Sequence, residues 1–155
     1  MDVRQLGAQT AEKLSPGGRG SGRGWARQIR RALAELSAAR DREARRTGEV
    51  SGAAEWLLDN WYLAQREGKE AERTLRKAPG RFRMSTGLPY PARLAQVLAE
   101  QAGDLDTEAL DAFLTGVQEK CPLSELELAY FIPALKGALV CRLPTLCAGL
   151  GWEDQ

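Results

Sequence analysis

Apolar residues recur along most of this chain at three- and four-residue intervals, the spacing that lines one face of an α-helix. Trp25, Ile29, Leu33 and Leu36 mark the first such face and predict a helix from 25 to about 46, with an arginine-rich opposite side. Thr47 and Gly48 interrupt the pattern; Gly48 can take a left-handed C-terminal turn and Ser51 can cap the next helix. Leu57, Leu58, Trp61 and Ala64 carry a second helix, about 52–77, which ends in alternating charge and is stopped by Pro79 and Gly80. Its four-residue pairs, Arg66 with Glu70 and Glu72 with Arg76, are worth about 0.2–0.5 kcal/mol each. They support a helix without defining a site.

Residues 81–90 read as a short irregular stretch. Pro91, a good first helical residue, then opens a third helix bearing Leu94, Val97 and Leu98 and ended by Gly103. Asp106 or Thr107 caps a fourth, with Leu110, Phe113, Leu114 and Val117 as its buried stripe. After Cys121 and Pro122, Ser124 and Glu127 form an S-x-x-E capping box before an apolar fifth helix. Pro133 should kink that helix, and Pro144 should kink it again or end it. No stretch alternates with period two, so no strands are expected. Residues 15–24, SPGGRGSGRG, have no apolar side chain to bury against the entropy of ordering, and read as a flexible linker. Arg19 and Arg23 within it leave an RGG-like RNA contact as the alternative, although so short a tract neutralises few phosphates. The expected architecture is an all-α bundle of about five helices: 1–24 a flexible Gly/Arg-containing lead-in, 25–150 the bundle, 151–155 a tail.

Length agrees with this, since 155 residues suit one domain with a single core. Composition removes several chemistries. The chain has no histidine, which excludes His-based triads and His-ligated zinc. Its three cysteines, Cys121, Cys141 and Cys147, lack CxxC spacing and read as buried thiols in a reducing compartment. The net charge of +1 hides an asymmetry: residues 1–93 hold 19 basic and 11 acidic groups, residues 94–155 hold 3 and 10. Opposed halves favour attraction within the chain or to a polar partner, screened beyond roughly 10 Å by salt. The first 14 residues are too polar for a secretory signal. The only membrane candidate, 128–150, is interrupted by Lys136 and Arg142, each costing roughly 2.5–3.5 kcal/mol at mid-bilayer, and by two prolines. It reads as a core helix, and the expected location is cytoplasmic, at the inner face of a membrane only through a partner.

Candidate chemistry is sparse. Asp104 and Asp106 spell D-x-D, which can hold a divalent metal, but at a helix start aspartate also caps free N–H groups. Trp56, Asp59, Asn60 and Tyr62 combine aromatic faces with polar neighbours, as sugar-binding surfaces do; the competing reading makes the tryptophans core anchors and pairs the polar groups with backbone or arginine. Arg83 and Arg93 flank GLPYP and can bind a phosphate or a partner carboxylate, or pair with the acidic second half. The cysteines have no evident activating base, and no catalytic constellation appears. Neither a catalytic residue, a metal site nor a cofactor is expected.

Three blocks, AAEWLLDNWYLAQ (53–65), GLPYPARLAQVLAE (87–100) and LDTEALDAFLTGVQEKCPLSELELAYFIPALKGALV (105–140), resemble in this order the helical region near the N-terminus of cyclic β-1,2-glucan synthases. The strongest elements are EWLLDN, the GLPYPAR run, and P-L-S-E-L followed by Pro133. In that family the region precedes a membrane-embedded glucosyltransferase domain that uses UDP-glucose and a glycoside-phosphorylase-like domain that sets chain length. The chain departs from the pattern in its short 81–86 connection, in Pro144 and in its stop at Gln155, and no family catalytic residue has a counterpart here. The resemblance therefore implies a non-catalytic interaction or scaffold module, docking on a membrane-bound glucosyltransferase or glucan-processing domain, or on itself. The alternative is a free-standing helical adaptor that binds protein or RNA through its basic N-terminal half, where Arg19, Arg23, Arg27, Arg30 and Arg31 lie; nucleic acid is the less expected partner.

Overall fold

A computed structural model describes residues 2–45, 52–101 and 105–149, with the side chains of 53, 54, 56 and 145–149 outside that description. Within it the chain is mainly helical, as expected, with seven helices and one small sheet. The helices are α1 (Val3–Leu14), α2 (Arg23–Ala44), α3 (Gly52–Arg76), α4 (Tyr90–Gln101), α5 (Thr107–Lys120), α6 (Glu125–Ala129) and α7 (Phe131–Gly149). The strands are β1 (Gly17–Gly20), β2 (Phe82–Ser85) and β3 (Leu88–Pro89). The turn expected at Thr47, Gly48 and Ser51 and the stop at Gly103 lie outside the described residues.

The core follows the predicted faces. Trp25, Ile29 and Leu36 of α2, Leu57 and Trp61 of α3, Leu94 and Leu98 of α4 and Phe113 and Val117 of α5 are all buried, as is Phe131 of α7; Ala71 and Leu75 are buried too, so the charged end of α3, expected to be solvated, also packs on the core. Helix α7, apolar on several sides, packs against α2, α3 and α4 at once, as a helix without a single polar face should. Gly137 of α7 faces Ile29, and the Trp25 indole donates to the Ala134 carbonyl at 3.3 Å, so α7 runs alongside α2 in the same direction. The Phe113 and Phe131 rings stack at 6.4 Å and carry that core into α5.

Four sequence expectations are corrected. Helix α1 stands where no helix was expected; Asp2 and Gln5 close a capping box at its start, and it packs along α5. The supposed flexible linker is not free either, because β1 pairs antiparallel with β2, Gly20 opposite Phe82 and Gly17 opposite Met84. Backbone bonds to an existing strand supply what the side chains of GGRG lack. The irregular stretch before Pro91 is a hairpin, with Ser85 opposite Leu88 and Thr86 and Gly87 both at positive φ. That geometry matches the twist of two strands joined by a two-residue turn. The fifth apolar segment also divides three residues before Pro133, at Tyr130, the C-cap of α6. Pro133 thereby falls in the first turn of α7, where a missing N–H costs little, and Pro144 lies inside α7 without ending it.

Candidate functional site

The residues singled out from the sequence do not converge on one cleft. Asp59 and Tyr62 are exposed on α3, Asn60 is half-buried, and the Trp56 side chain lies outside the described residues. Tyr62 is 72% exposed, with the Arg66 guanidinium 5.9 Å from its ring centre. Arg66 makes this contact and one with Glu67 at 3.5 Å rather than the expected pair with Glu70, whereas Arg76 and Glu72 meet at 3.1 Å as the spacing implied. Asp106 accepts from the Ala109 N–H at 2.8 Å and caps α5; Asp104 is outside the described residues. No group of three or more acidic or cysteine side chains that would hold a metal occurs among the described residues.

Arg83 and Arg93 are engaged by the fold itself. The guanidinium of Arg83 grips the buried carboxylate of Glu127, Nη2 at 2.7 Å from Oε1 and Nε at 3.1 Å from Oε2, and also donates to the Pro122 carbonyl at 2.7 Å. Glu127 further accepts from the Ser124 N–H at 2.9 Å, closing the capping box of α6, and from the Arg83 N–H at 3.3 Å. Burial alone would push this carboxyl up, but the Arg83 guanidinium and the Ser124 and Arg83 N–H groups together hold it below its ordinary value. The same bond raises Arg83. Tyr90 lies under Arg83, 5.0 Å from ring centre to guanidinium, and its hydroxyl donates to the Cys121 carbonyl at 3.1 Å; burial pushes that phenol up. Arg93 donates to the Ser85 carbonyl at 2.9 Å, to the Thr86 carbonyl and to Gln96, and so clamps the hairpin onto α4. Both arginines hold the protein's own backbone and carboxylate.

A cleft of about 430 Å³ opens between α2, α4 and α7, lined by Trp25, Gln28, Gln96, Glu100, Ala138, Cys141 and Arg142. A smaller concavity beside it, about 190 Å³, shares Gln28 and Cys141 and adds Arg31, Ala32 and Glu35. Nothing in the sequence pattern joined these residues, because they come from three helices that only the tertiary structure brings together. The lining can bind polar groups, and its ionisable side chains are Glu100, Cys141 and Arg142 in the cleft and Arg31 and Glu35 beside it. Burial pushes the Cys141 thiol up to about 11, so it is a poor nucleophile at neutral pH. Arg142 donates to the Ala99 carbonyl. Cys121 is free and half-buried, and the Cys147 side chain is outside the described residues.

The other notable surface is apolar. Leu63 of α3, Leu128 of α6, and Ile132 and Leu139 of α7 are 49%, 38%, 43% and 40% exposed. Lys136 of α7 bonds Glu67 of α3 at 3.1 Å across the seam between these helices and holds that carboxyl below its ordinary value. Leu63 is one turn before Glu67, while Ile132 and Leu139 are one turn either side of Lys136, so the three leucine and isoleucine side chains flank the ion pair. Among the described residues no helix is long and apolar enough to cross a membrane. No protein-family model, curated protein or solved structure matches the chain.

Proposed function

We propose that this protein is a non-catalytic helical docking module, whose partner is a glucan-synthesising membrane glucosyltransferase or its glucan-processing domain. The partner class comes from the resemblance to the N-terminal region of cyclic β-1,2-glucan synthases. One observation carries the docking reading: Leu63 falls in the first resembling segment, Ile132 and Leu139 in the third, and all three are exposed on α3 and α7, within one turn of the Glu67–Lys136 pair that joins these helices. Apolar side chains around a partly exposed ion pair have the mixed composition of an interface, apolar area to bury and a charged pair to set register. Arg83 and Arg93, the charged groups that a catalytic reading would recruit, are spent on internal contacts.

Binding of the purified chain to a soluble fragment carrying the glucosyltransferase or glucan-processing domain tests this. The double variant Leu63→Glu, Ile132→Glu should weaken that binding at least tenfold, since each replaces an exposed apolar contact by a charge, and should leave the fold intact because both positions are exposed. The chain alone should consume no UDP-glucose. Sugar transfer by the pure protein, or equal binding by the double variant, would overturn the reading.

A further inference from the structure

We infer that a second, independent site lies where α2 begins and α3 ends, and that it takes a compact, multiply charged phosphate anion of two or more linked phosphate groups. Arg23, Arg27, Arg30 and Arg76 together line a concavity of about 260 Å³. The three α2 arginines recur at four and three residues, which stacks them on one helix face over about 10 Å at roughly 1.5 Å rise per residue. The last turn of α3 comes close enough to complete the set: a Cβ on Gly22 would lie 2.6 Å from the Leu75 carbonyl oxygen, and Arg76 follows directly.

The charge is uncompensated from within. All four side chains are exposed, and of these only Arg76 has an acidic partner among the described residues, Glu72 at 3.1 Å. The first turn of α2 holds no acidic residue and its N-cap, Gly22, makes no side-chain cap bond. Arg23, the first residue of α2, is a cation at the positive end of the helix, the reverse of the usual distribution. Arg76, at the negative end of α3, is alone in sitting where the dipole favours it. An anion in the concavity would meet three guanidinium groups that have no ion-pair partner among the described residues. Planar guanidinium forks match the paired oxygens of phosphate, and several forks on one small volume suit several linked phosphates better than a single carboxylate. No aromatic side chain lines the concavity, so it lacks the stacking platform of single-stranded nucleic-acid sites.

The site is about 20 Å along α3 from Leu63, at roughly 1.5 Å per residue, and does not depend on the docking reading. Calorimetric titration of the whole chain with inorganic tripolyphosphate at low salt tests it. One equivalent should bind saturably, and the exposed double substitution Arg27→Gln, Arg30→Gln should weaken binding at least tenfold, whereas Arg31→Gln, on the neighbouring face beside Glu35, should change it less than twofold. Poly-glutamate of matched charge should not compete. Absence of saturable binding, equal binding by the double variant, displacement by poly-glutamate, or a single-stranded RNA that tripolyphosphate fails to displace would each overturn the assignment.

Discussion

Glu127 is the residue on which most local structure converges, since one carboxylate caps α6, pairs with Arg83 and ties β2 to the chain beyond α5. Its side chain is 1% exposed, whereas that of Arg83 keeps 24%. Breaking a buried pair by removing one member typically costs roughly 3–5 kcal/mol, and solvent access on the arginine side puts Glu127→Ala near the lower limit, about 3 kcal/mol. Chemical denaturation of the variant checks this. Glu127→Gln keeps an acceptor for Ser124 and should cost less. The carboxyl is held below its ordinary value in the folded chain, so its contribution is complete above the unfolded carboxylate value near 4.3 and fades as pH falls through the lower folded value. The melting-temperature gap between the native protein and Glu127→Gln should therefore be constant from pH 7 to about 5 and narrow below that. A gap that widened in acid would contradict the pairing. The capping role of Glu127 was legible in S-x-x-E, a four-residue pattern. Its partner stands 44 positions away, and no local pattern selects Arg83 over the other arginines.

Helix α1 meets α5 at two glycines, which defines how closely these elements cross. A Cβ on Gly116 would stand 2.0 Å from the Arg4 carbonyl oxygen, and one on Gly7 would stand 2.1 Å from the Phe113 carbonyl oxygen. Both obstacles are backbone, which cannot rotate away as a side chain can. Replacing a helical glycine by alanine ordinarily gains about 1 kcal/mol. Here overpacking should reverse the sign, so Gly116→Ala should lose about 2 kcal/mol in thermal or urea unfolding and release α1 to protease. Gly52→Ala, with open space around it, is the control and should be neutral or slightly stabilising. The apolar spacing of α1, Val3, Leu6, Ala11 and Leu14, is helical in retrospect, and Asp2 with Gln5 marks its start. Its signal is weak because its buried residues are Gly7, Thr10 and Ala11, small side chains that carry little apolar character. Strand β1 carries none. Its order comes from pairing with β2, and glycine-rich sequence is silent about pairing.

Taken as a whole, the molecule depends on its first 20 residues more than their composition implies. Helix α1 covers α5, and β1 extends the sheet that joins the hairpin to the body, with the Ser85 hydroxyl donating to the Leu14 carbonyl at 3.3 Å. Deleting residues 1–20 would uncover one side of α5 and one edge of β2. The truncated chain should keep most of its far-ultraviolet helical signal, lose a single sharp melting transition and bind a hydrophobic dye. A melting temperature within about 2 °C of the intact chain would show that α1 and β1 contribute little, since a loss of 1 kcal/mol shifts a domain of this size by about 2–4 °C. Helices α2 to α5, the cap at Ser124 and the exclusion of histidine chemistry were determined by the sequence alone, because periodicity and capping are properties of neighbouring residues; the division of the last apolar segment into α6 and α7 was not. Which face meets which was decided only by the tertiary structure. Arg83 found Glu127, four arginines gathered around one concavity, and Glu67 of α3 met Lys136 of α7, all through contacts between distant segments. Such contacts form when the chain closes long loops to bury apolar area, and no short stretch of sequence records which segments will meet.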